Sequence, residues 1–399
     1  MNMRLLAWEM RKIWRPLPLM GVAAVCMVTW LFIVGNTPLG AYTDPDNDPV
    51  TLSTRYGLTV EQAKPALQRE YDEAVAQFDR DVASVPAARA RGVVDARSYE
   101  AWDAGLPSTI GESDWELIVQ LGELPSYRTM SQASSLLSQI DESPGHFESS
   151  LRQYAAMALG FRNEPRDPLP ALAARRVERI AAQYDARSML DLNIEDAVSS
   201  SGPPLFAAVA VGAILLTMST LTQDRQTGMR RLQWSSRAGR AVMGTQAVAI
   251  GLSSALLSAV IAGLWAGWTA HRVWPCLNMP LLSYDPPLLW FDWTVAQYIA
   301  AVVLTAVPVG AASGLLAAWI VRARPNMIRL LIAVIPVGAV IAFIAGRLLG
   351  VNLYMLRNPL SRFVTVPGVE PGVALIGLAL GVALWAFSVR RLRRRELSD

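Results

Sequence analysis

Histidine, cysteine and lysine are each nearly missing from this 399-residue chain, which holds two of each. His146 and His271 stand far apart and outside any HExxH arrangement, which excludes a histidine-rich metal centre of the zinc-protease kind. Cys26 falls inside an apolar run and Cys276 in a polar connection after another, so the two thiols lie at different depths and are read as unpaired. Lys12 and Lys64 are the only lysines, and neither follows a glycine loop. The chain therefore has no GxxxxGK[ST] phosphate cradle and no route to ATP hydrolysis through one. GxSxG is absent as well, and nothing in the residue pattern points to an enzyme. Charge itself is scarce. Only 17% of residues are charged against 52% hydrophobic, and mean hydropathy is positive, the balance of a membrane protein.

What is present is a set of long apolar runs. Six occupy residues 17–35, 203–223, 241–268, 294–321, 330–350 and 372–389, each close to or above the roughly 20 apolar residues that cross a ~30 Å hydrocarbon layer. Arg11, Lys12 and Arg15 precede the first, as in a secretory signal. Its run is long for that role and no small-residue cleavage pattern follows, so it reads as an uncleaved anchor. Arginine is distributed unevenly around the runs. It marks the N-terminus (Arg4, Arg11, Arg15), residues 224–240 (Arg225, Arg230, Arg231, Arg237, Arg240), the turn 322–329 (Arg322, Arg324, Arg329) and the tail 390–399. These are alternate connections. The positive-inside rule then puts both termini in the cytoplasm, and puts 36–202 and the connections 269–293 and 351–371 outside.

The insert 36–202 is the one region large enough for a separate domain, and it is acidic, with 26 Asp or Glu against 15 Lys or Arg. Leu67, Tyr71, Val75, Phe78 and Val82 repeat at helical spacing, as do Phe147, Leu151, Tyr154, Ala158 and Phe161, and then Val177, Ile180 and Tyr184. Thr59-x-x-Gln62 and Ser113-x-x-Glu116 have the form of capping boxes, although Pro65 fits a first-turn position and would start the earlier helix near Lys64. The fold class expected is an all-α membrane protein: six transmembrane helices, with a mainly helical extracytoplasmic domain inserted between the first and second. Residues 1–16 place Arg4, Arg11 and Arg15 on one side of a helical wheel and Leu6, Met10 and Ile13 opposite, with Trp8 and Trp14 at headgroup depth. That pattern suits either an interfacial helix or a positive flank that only fixes orientation.

Within the runs, acidic side chains are absent, which disfavours a proton-driven carrier built on buried carboxylates. Arg347 is the one strongly placed charge, near the outer end of the fifth run. There it either snorkels to the interface or contacts a substrate in a pathway. Small residues in the third and fourth runs permit close helix packing, and Trp265, Trp268, Trp274, Trp290 and Trp293 gather at the outer ends. Such a lining suits an amphipathic cargo better than an inorganic ion, and an ordinary aromatic belt reads the same way.

The basic segment between the second and third runs carries the most specific pattern. Asp224-x-x-x-Gly228, followed by Leu232, Ser235-Ser236 and Gly239-Arg240, resembles the first cytoplasmic loop of type 2 ABC transporter permeases, bacterial exporter subunits among them. Asp224 stands where that family usually has glutamate, and Arg237-Ala238 where a proline usually follows the serines. The resemblance extends to six spans, both ends inside, an interfacial N-terminal helix and a large insert between spans one and two. It implies a permease in the bacterial cell membrane that exports a substrate such as a peptide or drug. It also implies separate ABC ATPase subunits that bind ATP and magnesium, and a second permease copy, identical or homologous; nucleic acid is no partner. Residues 224–240 would be the coupling helix, with Asp224 capping backbone donors and Gly228 permitting a turn. Met229, Leu232 and Trp234 would be apolar knobs in an ATPase groove, with Arg230 and Arg231 at the rim. A solvated basic loop that anchors topology, in a membrane-anchored sensor or assembly factor with an extracytoplasmic binding domain, accounts for the same residues.

Overall fold

The computed structural model describes residues 3–36, 48–57, 59–107, 109–162, 164–226, 237–323 and 327–395. Among the described residues the fold is helical, and β structure is limited to isolated bridges. A short helix, α1 (Met3–Ile13), precedes α2 (Pro16–Asn36), whose first residue is a proline, suited to a first turn where backbone N–H groups have no partner anyway. A helical body follows, formed by α3 (Pro49–Arg55), α4 (Val60–Ala83), α5 (Pro86–Ala90), α6 (Ala96–Ala104), α7 (Glu112–Gly122), α8 (Pro125–Ile140), α9 (Pro144–Leu159), α10 (Ala171–Ala181) and α11 (Leu192–Ser200). The bundle is completed by α12 (Gly202–Gln226), α13 (Arg237–Arg272), α14 (Val295–Ala323), α15 (Met327–Phe343) and α16 (Val369–Arg395).

Five helices are long and apolar enough to cross a membrane, with candidate spans Pro16–Gly35, Leu192–Asp224, Val242–Arg272, Val295–Arg322 and Val369–Arg390. The fifth run of the sequence differs. Its helix α15 has 17 residues and passes into a π-helical stretch, Ile344–Leu349, so its apolar helix Val334–Leu349 is shorter than the other five. α14 is the hub, packed against α12, α13, α15 and α16. The span windows of α12 and α14 are 67% and 61% buried, against 11% for α2 and 17% for α16, so α2 and α16 form the periphery.

Close approach of α13 and α14 depends on glycine. A Cβ on Gly310 would lie 1.6 Å from Ser258 Oγ and 2.8 Å from its Cβ, and one on Gly314 would lie 2.1 Å from Ser254 Oγ. The serines are buried, and Ser258 returns its hydroxyl proton to the Ser254 carbonyl at 2.7 Å, so the helix supplies its own acceptor in an apolar setting.

Several local expectations are altered by packing. Thr59 does cap α4, accepting from the Gln62 amide, and Pro65 sits inside the helix; burial of Val60, Ala63 and Leu67 keeps the first turn helical ahead of it. Ser113 does not cap α7. The helix starts at Glu112 behind Gly111, while Arg91 binds the Ser113 carbonyl at 2.9 Å and the Asp114 carboxylate at 2.6 Å. The buried stripe of α9 is Phe147, Leu151, Ala155 and Leu159; Tyr154 and Phe161, expected on that stripe, are 46% and 47% exposed.

The body has two kinds of core. Far from the bundle, Phe78, Tyr99, Leu121 and Met130 close a cluster belonging to α4–α8 alone, with Phe78 and Tyr99 ring centroids 5.7 Å apart. Nearer the bundle, α9 and α10 share a cluster with Leu288, Trp290 and Leu356, which come from the connections before α14 and before α16. Polar ties reinforce it. Arg176 pairs with Asp292 at 2.7 Å and donates to the Leu289 carbonyl, and Arg357 reaches Glu195 at 3.0 Å. Trp265 and Trp290 are core residues, the former donating to Ser201 Oγ at 2.9 Å, and Trp293 stacks on Phe291 at 4.5 Å; Trp274 is 72% exposed. Trp290 thus joins the body to the bundle, while Trp268 meets Trp30 of α2 edge-on at 5.0 Å.

The α13–α14 seam yields a direct test. Gly310→Ala must push the helices apart, as overpacking a filled core commonly costs ~1–3 kcal/mol. Gly263→Ala, where an added Cβ meets nothing within 4 Å, should be neutral. Thermal unfolding of the two full-length variants in detergent compares them, and equal melting temperatures would contradict the seam.

Candidate functional site

Asp224 lies in the last turn of α12, where the helix dipole is negative and an anion is disfavoured. It is only 7% exposed. A buried carboxylate in that position requires a cation, and Lys12 supplies it, with Nζ 2.6 Å from Asp224 Oδ2. Lys12 can do so because it ends α1, and Glu9, one turn back, holds the same ammonium at 3.4 Å. Glu9 is 3% exposed and shares the buried face of α1 with Leu6 and Ile13. Burial pushes its carboxyl above the ordinary glutamate range; Lys12 pulls it back and Asp224 adds to the rise.

The network continues into the bundle through an amide. Gln246 of α13, 4% exposed, donates from Nε2 to Asp224 Oδ2 at 3.1 Å and accepts at Oε1 from Arg322 Nη2 at 2.7 Å. Arg322 ends α14, where the dipole favours a cation, and its guanidinium lies 3.9 Å from the centre of the Trp385 ring of α16. Arg15 Nη1 also donates to Gln223 Oε1 beside Asp224. Two acids, two bases and one amide therefore link α1, α12, α13, α14 and α16 at a single end of the bundle. Lys12 and Arg15, from the basic N-terminus, and Arg322, from the basic turn after the fourth run, meet at this end.

Of the residues singled out by sequence, Asp224 is at the centre of this network. Its helix runs on to Gln226, and its carboxylate receives the Lys12 and Gln246 side chains. Gly228, Met229, Arg230, Arg231, Leu232 and Trp234 lie outside the described residues. The helix that follows, α13, already begins at Arg237, within the segment read as a loop. Arg347 is exposed on the π-helical turn, far along the chain from this cluster and at the other end of the bundle, where Gly346 meets the Pro203 carbonyl. Sequence reasoning missed Glu9, Lys12, Gln246, Arg322 and Trp385 as a group. Two signals were legible: Glu9 is the only acid before residue 44, and Gln246 is the only amide in the run 241–268.

Among the described residues no group of three or more His, Cys, Asp or Glu side chains is placed to hold a metal ion, and both cysteines are free thiols. The arrangement is a polar joint: Lys12 of α1 bridges Glu9 and Asp224, and the Gln246 amide of α13 connects Asp224 of α12 to Arg322 of α14. Compared with family models, with curated proteins and with solved structures, the chain matches none.

Removing one partner of a buried pair typically costs ~3–5 kcal/mol because the other charge is left uncompensated. Lys12→Met should destabilise the full-length protein by about that amount, and adding Asp224→Asn should recover part of the loss. Chemical denaturation of the single and double variants measures both, and strictly additive losses would argue against the pairing. The raised Glu9 carboxyl adds a pH signature. Its contribution is fully present below the ordinary glutamate pKa and is lost as pH rises through the raised value, so Glu9→Gln should flatten the acid-side stability profile over that window.

Proposed function

We propose that the chain is the membrane-spanning permease subunit of an ATP-driven exporter, coupling hydrolysis by a separate ATPase to export of an amphipathic substrate such as a peptide or drug. The observation that supports this reading most is the joint at Asp224. The residue that opens the permease-like segment 224–240 is paired with Lys12 of α1 and linked through the Gln246 amide and Arg322 to α13, α14 and α16, so a push delivered to that segment would be felt by several helices. In this reading Met327–Leu349 supplies a sixth crossing, the arginine-rich end faces the bacterial cytoplasm and the helical body lies outside. ATP and magnesium are held by the partner ATPase, and two permease copies, identical or homologous, enclose the pathway.

Two experiments test it. The full-length chain, purified with its bound proteins, should carry a stoichiometric ATPase. Trp234→Ala should weaken that complex by ~1–3 kcal/mol, as loss of an interfacial anchor does, while Arg237→Ala, a rim charge, should cost less. A copurifying kinase, or no nucleotide-dependent partner, would favour a membrane-anchored sensor instead. For sidedness, cysteines placed at the exposed positions Ser84 and Ser138 should react with an impermeant thiol reagent in intact cells, and one at Ser235 should not. Labelling at 235 would overturn the orientation.

A further inference from the structure

The corner between α1 and α2 encloses a hollow of about 430 Å³ lined by Trp8, Arg11, Lys12, Trp14, Arg15 and Pro16. Three of the six are cations, two are tryptophans and none is acidic. The one carboxylate nearby in sequence, Glu9, is buried and engaged with Lys12. Lys12 is also committed to Asp224, so the charges left to face the hollow are those of Arg11 and Arg15. Arg15 bonds only the neutral oxygen of Gln223, and Arg11 has no ion-pair partner among the described residues; both are exposed. Pro16 begins the 21-residue helix α2, whose positive dipole end opens on the same hollow.

The depth of this corner in a bilayer follows from its neighbours. Leu17 and Met20, immediately beyond Pro16, are 79% and 69% exposed on the first turns of an apolar spanning helix, as lipid-facing side chains are. The hollow therefore stands at the headgroup level just above them, where tryptophan is at home. Trp8, 64% exposed, offers a broad amphipathic face beside the cations. A ligand that fits must carry a negative group at headgroup height and an apolar part reaching toward Leu17.

We infer that this corner is a binding site for an anionic phospholipid, its phosphate held by Arg11 and Arg15 at the start of α2 and its acyl chains lying along Leu17 and Met20. The inference depends on Pro16–Gly35 being a span and not on the exporter reading. Since Lys12 belongs both to the wall of this site and to the joint at Asp224, an occupied site adds a negative charge beside the ammonium that anchors the joint.

Native mass spectrometry of the full-length protein titrated with phosphatidylglycerol or with phosphatidylcholine of the same acyl chains tests the site. The wild type should retain phosphatidylglycerol preferentially. Arg11→Gln should weaken that retention about fivefold and the double variant with Arg15→Gln about twenty-five-fold, from roughly 1 kcal/mol per arginine near a charged surface. Phosphatidylcholine retention should stay unchanged, and Arg11→Lys should retain most of the preference. Arg11 is exposed and has no ion-pair partner among the described residues, so its variant serves even where the double variant misfolds. Equal retention of the two lipids by the wild type, wild-type retention by Arg11→Gln, or displacement of the lipid by millimolar inorganic phosphate would each overturn the inference, the last by showing a site for free anions.

Discussion

Burying a carboxylate at the negative end of a helix is costly, and most of the arrangement at the arginine-rich end follows from offsetting that cost at Asp224. The dipole of α12 repels the charge, and the site is shielded from water that would otherwise solvate it. Lys12 can answer only if α1 folds back onto the bundle, which sets the break between Ile13 and Pro16 and the docking of Leu6 and Ile13 onto the neighbouring helices. Gln246 and Arg322 then complete the coordination from α13 and α14, and Trp385 covers the guanidinium from α16. Lys12 and Arg322 are cations in the last turns of α1 and α14, where the dipole favours them, whereas Asp224 is an anion in the last turn of α12 and depends on them.

The opposite end is organised by a different force. There the body and the bundle share apolar cores: Leu288, Trp290 and Leu356 close the cluster of α9 and α10, and Leu190 and Ile194 join the core around Trp265 and Tyr298. Arg357 and Glu195 add a pair, yet the buried area is mostly hydrocarbon. Apolar contact tolerates small sliding, whereas a hydrogen-bonded charge cluster has discrete arrangements separated by unpaired states. The two ends therefore differ in kind: a broad apolar contact at the body, and a charged and hydrogen-bonded cluster at the arginine-rich end.

Much of this was legible in the sequence. The apolar runs correspond to five helices long enough to span, and the helical character of the insert is plain in repeats such as Leu67, Phe78 and Val82. Where the reading slipped, a tertiary contact had overridden a local rule. Tyr154 fits the α9 stripe by spacing, but Ala155 and Leu159 face the α10 core, and Tyr154 is left to meet Arg357. Ser113 has the form of a cap, and Arg91 from a distant turn takes its carbonyl instead. The fifth run was apolar enough by composition, yet its helix changes hydrogen-bond pattern at Ile344, where Gly346 and Gly350 approach the backbone of Pro203 and Gly202. At the candidate site, Asp224 could be picked out through the resemblance of residues 224–240 to a permease loop. Its partners could not, since Lys12 and Asp224 are 212 residues apart and no local pattern pairs them.

The amphipathic pattern of residues 1–16 left two readings open, an interfacial helix and a bare positive flank. Glu9 bears on the choice between them. A flank that only fixed orientation would have no reason to carry an acid on its apolar side, between Leu6 and Ile13, because an isolated carboxylate there would face hydrocarbon or headgroups of its own sign. Glu9 is tolerable only where a cation is already buried, and that cation is Lys12 on its way to Asp224. The same helix leaves Trp8 and Arg11 exposed, and Arg15 follows it in the break before α2. One face thus packs on the bundle through Leu6, Glu9 and Ile13, and the cation that closes the joint is carried by the same helix.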